Sequence, residues 1–151
     1  MPLMNDCAAH IIRIDTIMGA VPMFIYDYAY LEKELTQIID RFPSVSCGVI
    51  GKSLMGRNLY ELRVGKGDRK VHFNASFHAN EWITSLVLMN WFQKCLANHS
   101  KEEMDIFKKV TVSIVPMVNP DGIELLSAGK SAAKGLYDVD RMNGRKSDFY
   151  S

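Results

Sequence analysis

Apolar and polar residues alternate with helical spacing shortly after residue 25. Apolar side chains recur three or four positions apart between Tyr30 and Ile39, with charged residues between them. This spacing places the apolar side chains on one face, so it predicts an amphipathic helix over residues 27–41. Pro43 disfavours helical backbone in the residue before it, and we therefore expect the helix to end there.

Four later segments have the short apolar or alternating pattern that is typical of strands. They are residues 45–50, 59–64, 71–77 and 110–118. Between the first two, the segment Gly51-Lys-Ser-Leu-Met-Gly-Arg57 has glycines where a hairpin turn needs them. After the fourth, Asn119-Pro-Asp-Gly122 has the residue preferences of a type I turn.

A second helix is predicted from Glu81 to about Asn98. It is apolar around most of its circumference, so we expect it to pack against a sheet, with Trp82, Trp91 and Phe92 in the core. Residues 101–108 predict a short exposed helix. No closing element is visible in residues 123–151, and from residue 127 onward there is no clear periodicity.

Strands that alternate with helices predict an α/β domain. Four strands are few for such a sheet, so the pattern is typical of the front half of a larger sheet domain. A chain of 151 residues has room for one domain. Residues 1–25 are interpreted as an unassigned lead-in, and residues 26–151 as the domain itself.

The composition excludes several classes of protein. Apolar residues make up 48% of the chain and its net charge is +1, which excludes general disorder and gives no electrostatic case for nucleic-acid binding. The three cysteines are too few and too widely spaced for a disulfide framework, so we expect reduced, buried thiols. No signal peptide or membrane span is visible, and a cytoplasmic location is therefore the default expectation.

The candidate chemistry lies in the segment Phe77-His-Ala-Asn-Glu-Trp82. His78 ends the predicted third strand and Glu81 opens the following helix, so an imidazole nitrogen and a carboxylate can reach one point. Zinc accepts both kinds of ligand. A structural alternative is a hydrogen-bonded strand-end histidine and a glutamate favoured by the helix dipole, and the short motif alone favours that alternative.

The order of these segments resembles the zinc carboxypeptidase family, the carboxypeptidase A type of metallopeptidase. In that family a strand leads into His-x-x-Glu, usually followed by Trp, and the next core strand runs into Asn-Pro-Asp-Gly. The segment from Gly51 to Arg57 is similar to the family's Gly-x-Ser-x-x-Gly-Arg turn, and the first helix with Arg41-Phe-Pro43 is similar to its opening helix. The similarity covers about residues 26–125.

The resemblance implies a mixed, mostly parallel sheet flanked by helices, of which this chain would hold the front half. It also implies a zinc cofactor with His78 and Glu81 as its first two ligands, and hydrolysis of peptide bonds by a zinc-activated water. Asn80 stands where the animal digestive enzymes have Arg. The sequence around His78 and Asn119 is similar to that of a bacterial branch of the family, the γ-D-glutamyl-diamino-acid peptidases. The expected partner is therefore a peptide or muropeptide substrate.

Two parts of the family's site have no counterpart here, namely the third zinc ligand and the catalytic glutamate. No histidine follows Gly122, and His10, His72 and His99 lie in the wrong elements. We therefore expect an apparently truncated chain with an incomplete zinc site, no catalytic residue and no hydrolysis by this chain alone. The alternatives are a non-catalytic remnant or binding module of the same fold, and an unrelated α/β domain. Arg57 is either the partner of a buried carboxylate near the site or a surface arginine.

Overall fold

The computed structural model describes residues 25–97 and 106–129, together with residue 132. Its named elements are α1 (Tyr28–Arg41), β1 (Ser46–Lys52), β2 (Asn58–Val64), β3 (Arg69–Asn74), a 3₁₀ turn (Ala79–Glu81), α2 (Trp82–Ala97), β4 (Val110–Val115) and α3 (Pro120–Ala128). Residues 106–109 are also helical. Residues 1–24 of the predicted lead-in and residues 101–105 of the predicted exposed helix lie outside the described residues.

Helix α1 forms where the sequence pattern predicts it. Asp27 is its N-cap, and the carboxylate of Asp27 accepts a hydrogen bond from the N–H of Tyr30 at 2.8 Å. This bond satisfies one of the free donors at the start of the helix. Leu31, Leu35 and Ile38 are buried on one face. The helix ends at Arg41, just before Phe42 and the proline that follows it.

The four strands form one mixed sheet in the order β1-β2-β4-β3. The pairs β1–β2 and β2–β4 are antiparallel, whereas β3 and β4 are parallel. A parallel pair needs a crossover connection, and α2 lies within the connection from β3 to β4. The predicted α/β class, a mixed sheet flanked by helices, is confirmed.

The hydrophobic core lies on one face of this sheet. Successive strand residues point to opposite faces, so Leu62 and Ile114, which are paired across β2 and β4, share the core face. Helices α1, α2 and α3 all contribute side chains to the same core cluster. The opposite face is polar: the hydroxyl of Ser113 donates to Glu61 at 2.5 Å and lies 2.9 Å from Nδ1 of His72.

Two predicted strands end earlier than expected. β3 ends at Asn74 because Ser76 has a φ of 53°, which breaks the extended backbone. β4 ends at Val115, and Pro116, which has no N–H to donate to a ladder, follows it directly. His78 therefore does not end a strand, as the sequence pattern suggested, but lies in the connection between β3 and α2.

The predicted turn at Asn119-Pro-Asp-Gly122 is wrong, because this segment begins helix α3. Asn119 is the N-cap and Pro120 is the first helical residue, a position where the missing N–H of proline costs nothing. The expectation that no element follows residue 122 is also wrong, since α3 continues to Ala128.

Helix α2 packs against the sheet, but only through part of its surface. Phe92 is buried and Trp82 is packed against the core, as expected. Trp91 is 40% exposed, so its predicted place in the core is wrong. Its ring instead contacts that of Phe73 on β3, with 4.9 Å between the centroids.

Cys47 and Cys95, the two cysteines in the described part of the chain, form no disulfide with each other, and both are half-buried and not buried as predicted. Cys7 lies outside the described residues. Among the helices of the described part, none is long and apolar enough to cross a membrane.

Candidate metal site

His78 and Glu81 are brought together by the short 3₁₀ turn between β3 and α2. His78 is extended, with φ −99° and ψ 145°, and is the N-cap of the turn that ends at Glu81. Side chains three residues apart lie almost above one another in 3₁₀ geometry. As a result, Nδ1 of His78 lies 3.0 Å from Oε1 of Glu81.

Both side chains of this pair are open to solvent, at 50% exposed for His78 and 44% for Glu81. The hydrogen bond from His78 is the main cause that lowers the pKa of the Glu81 carboxyl below its ordinary value. Glu81 therefore remains a carboxylate over the neutral range. A carboxylate and an imidazole nitrogen side by side are a donor set that suits zinc.

The two residues fit two positions of a tetrahedral zinc site and no more. Within residues 25–97 and 106–129, no three His, Cys, Asp or Glu side chains are placed to hold a metal ion together. His72 points to the polar face of the sheet, where its ring contacts Ser113. His10 and His99 lie outside the described residues. The expectation that none of these three histidines completes the site stays a prediction.

A buried hydroxyl network lies directly behind the candidate ligands. Ser76 is buried in the left-handed region of backbone conformation, and its N–H donates to Oγ1 of Thr84 at 2.9 Å. Its hydroxyl lies 2.5 Å from that of Ser85 and 3.1 Å from the carbonyl oxygen of Glu81. Ser85 in turn donates to the carbonyl of Pro116. The connection that carries His78 is therefore tied both to α2 and to the end of β4.

The start of α3 forms the other side of this support. The N–H of Val118 donates to the carbonyl of Ala75, and the N–H of Asn119 donates to that of Ser76, both at 2.9 Å. The side-chain amide of Asn119 donates to the carbonyl of Phe77 at 3.1 Å. Sequence analysis missed this role for Asn119, although the order Asn-Pro before an apolar run was a signal for a helix N-cap.

Arg57 is the partner of carboxylates and not a surface arginine. Its guanidinium lies 2.8 Å from Oδ1 of Asp121 and 3.8 Å from Oε2 of Glu124. Asp121 also accepts hydrogen bonds from the hydroxyl of Ser53 and the N–H of Met55. The two segments that the sequence analysis singled out, the hairpin turn and Asn-Pro-Asp-Gly, therefore bind each other.

Comparison with known proteins gives the same family. The profile described as "Zinc carboxypeptidase" matches residues 31–147. The uncharacterized protein YqgT of Bacillus subtilis (strain 168) is 42% identical over 135 residues, which are 83% of this chain and 36% of that protein. The γ-D-glutamyl-L-diamino acid endopeptidase 1 of Lysinibacillus sphaericus is 31% identical over 118 residues, or 74% of this chain and 30% of that protein.

Solved structures show the same fold at lower identity. The structure of thrombin activatable fibrinolysis inhibitor matches with a TM-score of 0.63 and 21% identity, over 72% of this chain and 29% of that one. Carboxypeptidase A from Helicoverpa armigera matches with a TM-score of 0.59 and 24% identity, over 68% of this chain and 26% of that one.

This chain spans about a third of the length of these two curated relatives. The family profile nevertheless covers most of it, and the Asn-Pro-Asp-Gly segment that carries part of the resemblance contacts both the hairpin turn and the connection between β3 and α2. The chain belongs to the zinc carboxypeptidase family.

Proposed function

We propose that His78 and Glu81 are two ligands of a zinc ion in a metallopeptidase site that hydrolyses peptide bonds. The observation that carries this proposal is the 3.0 Å approach of Nδ1 of His78 to Oε1 of Glu81 on a solvent-exposed turn. Membership of the zinc carboxypeptidase family supports it. Zinc, when bound, supplies a Lewis acid that polarises a carbonyl group and activates water.

The chain's own contribution is to hold these two ligands in place. Ser76 donates to the carbonyl oxygen of Glu81 and Asn119 to that of Phe77, so both support the backbone that carries the ligand pair. Two ligands give a much weaker site than three, since affinity depends on the full set. We therefore propose that residues 26–151 are one part of the catalytic domain and that this part alone does not hydrolyse peptides.

The substrate class that we propose is a cell-wall peptide with a γ-D-glutamyl-diamino-acid bond. The relative from Lysinibacillus sphaericus, whose name states this specificity, supports the assignment. Asn80, next to the ligands and exposed, gives a neutral side chain where the animal digestive enzymes have a positive charge. A full-length protein that cleaved ordinary C-terminal peptides and left muropeptide stems intact would contradict this assignment.

Zinc titration of the chain tests the ligand assignment. Isothermal titration should show weak binding by the unaltered chain, and we expect His78→Ala or Glu81→Gln to abolish it. His72→Ala is the matched control, because His72 contacts Ser113 on the other face of the sheet and should leave zinc binding unchanged. Binding that survives His78→Ala would contradict the assignment.

An activity assay distinguishes the enzyme from the alternative of a non-catalytic remnant or binding module. We expect the 151-residue chain to show no chelator-sensitive hydrolysis of a muropeptide, and a full-length protein containing these residues to show it. Chelator-sensitive turnover by the chain alone would contradict the proposed division of the site. Zinc binding without any turnover by the full-length protein would favour the remnant.

A further inference from the structure

Asn119 joins the start of helix α3 to the residue that precedes His78. Its Oδ1 accepts a hydrogen bond from the N–H of Gly122 at 2.9 Å, which caps the helix. Its Nδ2 donates to the carbonyl oxygen of Phe77 at 3.1 Å. One side-chain amide therefore makes two bonds, in two different parts of the fold.

Each backbone carbonyl group from residue 75 to residue 78, in the connection between β3 and α2, accepts a hydrogen bond. Those of Ala75 and Ser76 accept from the backbone N–H groups of Val118 and Asn119, and that of His78 accepts from the N–H of Glu81 at 3.1 Å. The carbonyl of Phe77, between them, is instead held by the Asn119 side chain. This bond can therefore be removed by substitution while the backbone bonds on either side remain.

The Asn119 amide occupies space that a side chain at position 122 would need. A Cβ placed on Gly122 would lie 2.6 Å from Nδ2 of Asn119 and 3.1 Å from Cβ of Ala79. Ala79 belongs to the 3₁₀ turn that separates the two candidate ligands. The glycine at position 122 thus lets the start of α3, with the Asn119 amide, lie close to the turn that carries the ligand pair.

We propose that Asn119 is a positioning residue for the metal-binding turn, and that its Nδ2–H bond to Phe77 holds His78 beside Glu81. This inference rests on the proposed function of the pair. Helix capping alone does not require an amide, because serine and aspartate cap helices about as well as asparagine. Aspartate has no N–H to donate, and serine has a single polar atom, which the cap occupies. Only asparagine has a second polar atom, Nδ2, that donates to Phe77 while Oδ1 accepts from Gly122.

The variants Asn119→Ser and Asn119→Asp separate the two roles of the amide. Serine keeps an oxygen for the cap but has no group that reaches Phe77, and aspartate puts a carboxylate oxygen against the Phe77 carbonyl. Circular dichroism first shows that each variant is folded. Asp27→Ser, at the N-cap of α1, is the matched control, because it alters a helix cap that has no bond to the connection.

Amide hydrogen exchange gives a readout that needs no metal. We expect the Glu81 N–H to exchange about five to ten times faster in both Asn119 variants, in line with the loss of one hydrogen bond. The N–H groups of Gly122 and Ile123, at the start of α3, should change little in these variants. In Asp27→Ser, the exchange rate of the Glu81 N–H, divided by the rate of the amides that exchange only through global unfolding, should equal that in the unaltered chain.

Zinc titration gives the second readout. We expect Asn119→Ser to bind zinc about tenfold more weakly than the unaltered chain, a loss typical of residues that orient metal ligands. Asp27→Ser should leave the affinity unchanged. If His78→Ala does not reduce zinc binding, the proposed function fails, and the exchange of Glu81 alone then decides whether Asn119 positions the turn.

Two results would overturn the role of Asn119. One is an exchange rate of the Glu81 N–H that stays unchanged in both variants. The other is an acceleration that is equal at Glu81 and at Ile123, since this would mean that Asn119 acts only through the stability of α3.

Discussion

At the scale of single residues, Gly67 is the position that leaves least room for a side chain. A Cβ built there would lie 1.8–2.0 Å from backbone atoms of Lys109 and Val110. Backbone atoms cannot move aside as the end of a flexible side chain can. Gly48, on β1, has nothing within 4 Å of the same ideal position.

We therefore expect Gly67→Ala to lower the free energy of unfolding by about 2–3 kcal/mol, as overpacking does. Gly48→Ala is the matched control and should change it by less than about 0.5 kcal/mol. Urea denaturation followed by circular dichroism measures both variants. Equal stability of the two variants would contradict the close approach at Gly67.

Glu34 is a carboxyl group inside the core. It is buried on α1 and accepts hydrogen bonds from the hydroxyl of Tyr26 and the side-chain amide of Gln93. Burial raises the pKa of Glu34 above its ordinary value of 4.5, although both hydrogen bonds oppose this shift. Burial and the nearby Glu34 also raise the pKa of the Tyr26 hydroxyl, which therefore stays neutral and remains a donor.

The raised pKa of Glu34 predicts a pH dependence of stability. The folded state binds this proton more tightly than the unfolded state. The contribution of Glu34 to the free energy of unfolding is therefore complete below about pH 4.5 and is lost as the pH rises through the pKa of Glu34 in the folded state. We expect the unaltered chain to lose stability relative to Glu34→Gln over that range. Urea denaturation of both proteins at a series of pH values measures the free energy of unfolding of the unaltered chain minus that of Glu34→Gln. A value that stays constant or rises with pH would contradict the shift.

At the scale of elements, the ion pair between Arg57 and Asp121 joins the β1–β2 hairpin turn to α3. The side chains are only 12% and 13% exposed, and Asp121 accepts from Ser53, Met55 and Arg57 at once. Arg63 and Glu61 form a pair of the same length, 2.8 Å, but Arg63 is 60% exposed. The two pairs differ mainly in solvent exposure.

We expect Asp121→Ala to lower the free energy of unfolding by about 2–3 kcal/mol, because three partly buried donors lose their acceptor and Arg57 keeps only the longer contact with Glu124. Arg63→Ala should lower it by about 0–1 kcal/mol, since solvent screens exposed pairs. Urea denaturation compares the two. Similar losses would mean that the Asp121 network adds nothing beyond an ordinary surface pair.

The elements that the sequence predicted well are those with a clear local signal. Helix α1 has apolar residues at helical spacing and an Asp27 cap, and β2 has apolar residues that alternate with Glu61 and Arg63 between two turns. The early end of β3 was not predictable, because it depends on the backbone of Ser76 and on bonds from residues 118 and 119. The start of α3 was misjudged because proline suits both the second position of a turn and the first residue of a helix.

At the scale of the whole molecule, an apolar groove lies between β3, at one edge of the sheet, and α2. Its volume is about 410 Å³, and its lining residues include Phe73, Ile83, Val87 and Trp91. All four are exposed by more than a third of their surface. An apolar surface of this kind binds apolar molecules or other proteins more readily than a polar surface does.

We expect the dye 1-anilinonaphthalene-8-sulfonate to bind the folded chain at this groove. Val87→Asp should remove most of the dye fluorescence, because it puts a charge among the apolar side chains. Gln37→Asp, on the exposed side of α1, is the control and should leave the fluorescence unchanged. Dye binding that is equal in both variants would place the dye elsewhere.

The sequence by itself determined the class of the fold, the approximate positions of α1, α2 and the four strands, and the family. It also singled out His78 and Glu81, whose side chains the structure brings to 3.0 Å. These features depend on residues close together in the chain, either through periodic burial or through the i, i+3 geometry of one turn. Local patterns are therefore enough to predict them.

Only the tertiary structure decided what supports that pair and which apolar residues are buried. The contacts of Asn119 with Phe77 and of Arg57 with Asp121 span 42 and 64 positions of the chain. Trp91 and Phe92 are neighbours in a helix that is apolar all round, and the position of the sheet alone decides that Phe92 is buried and Trp91 is not. Contacts between distant segments depend on the way whole elements pack, and no local pattern encodes that packing.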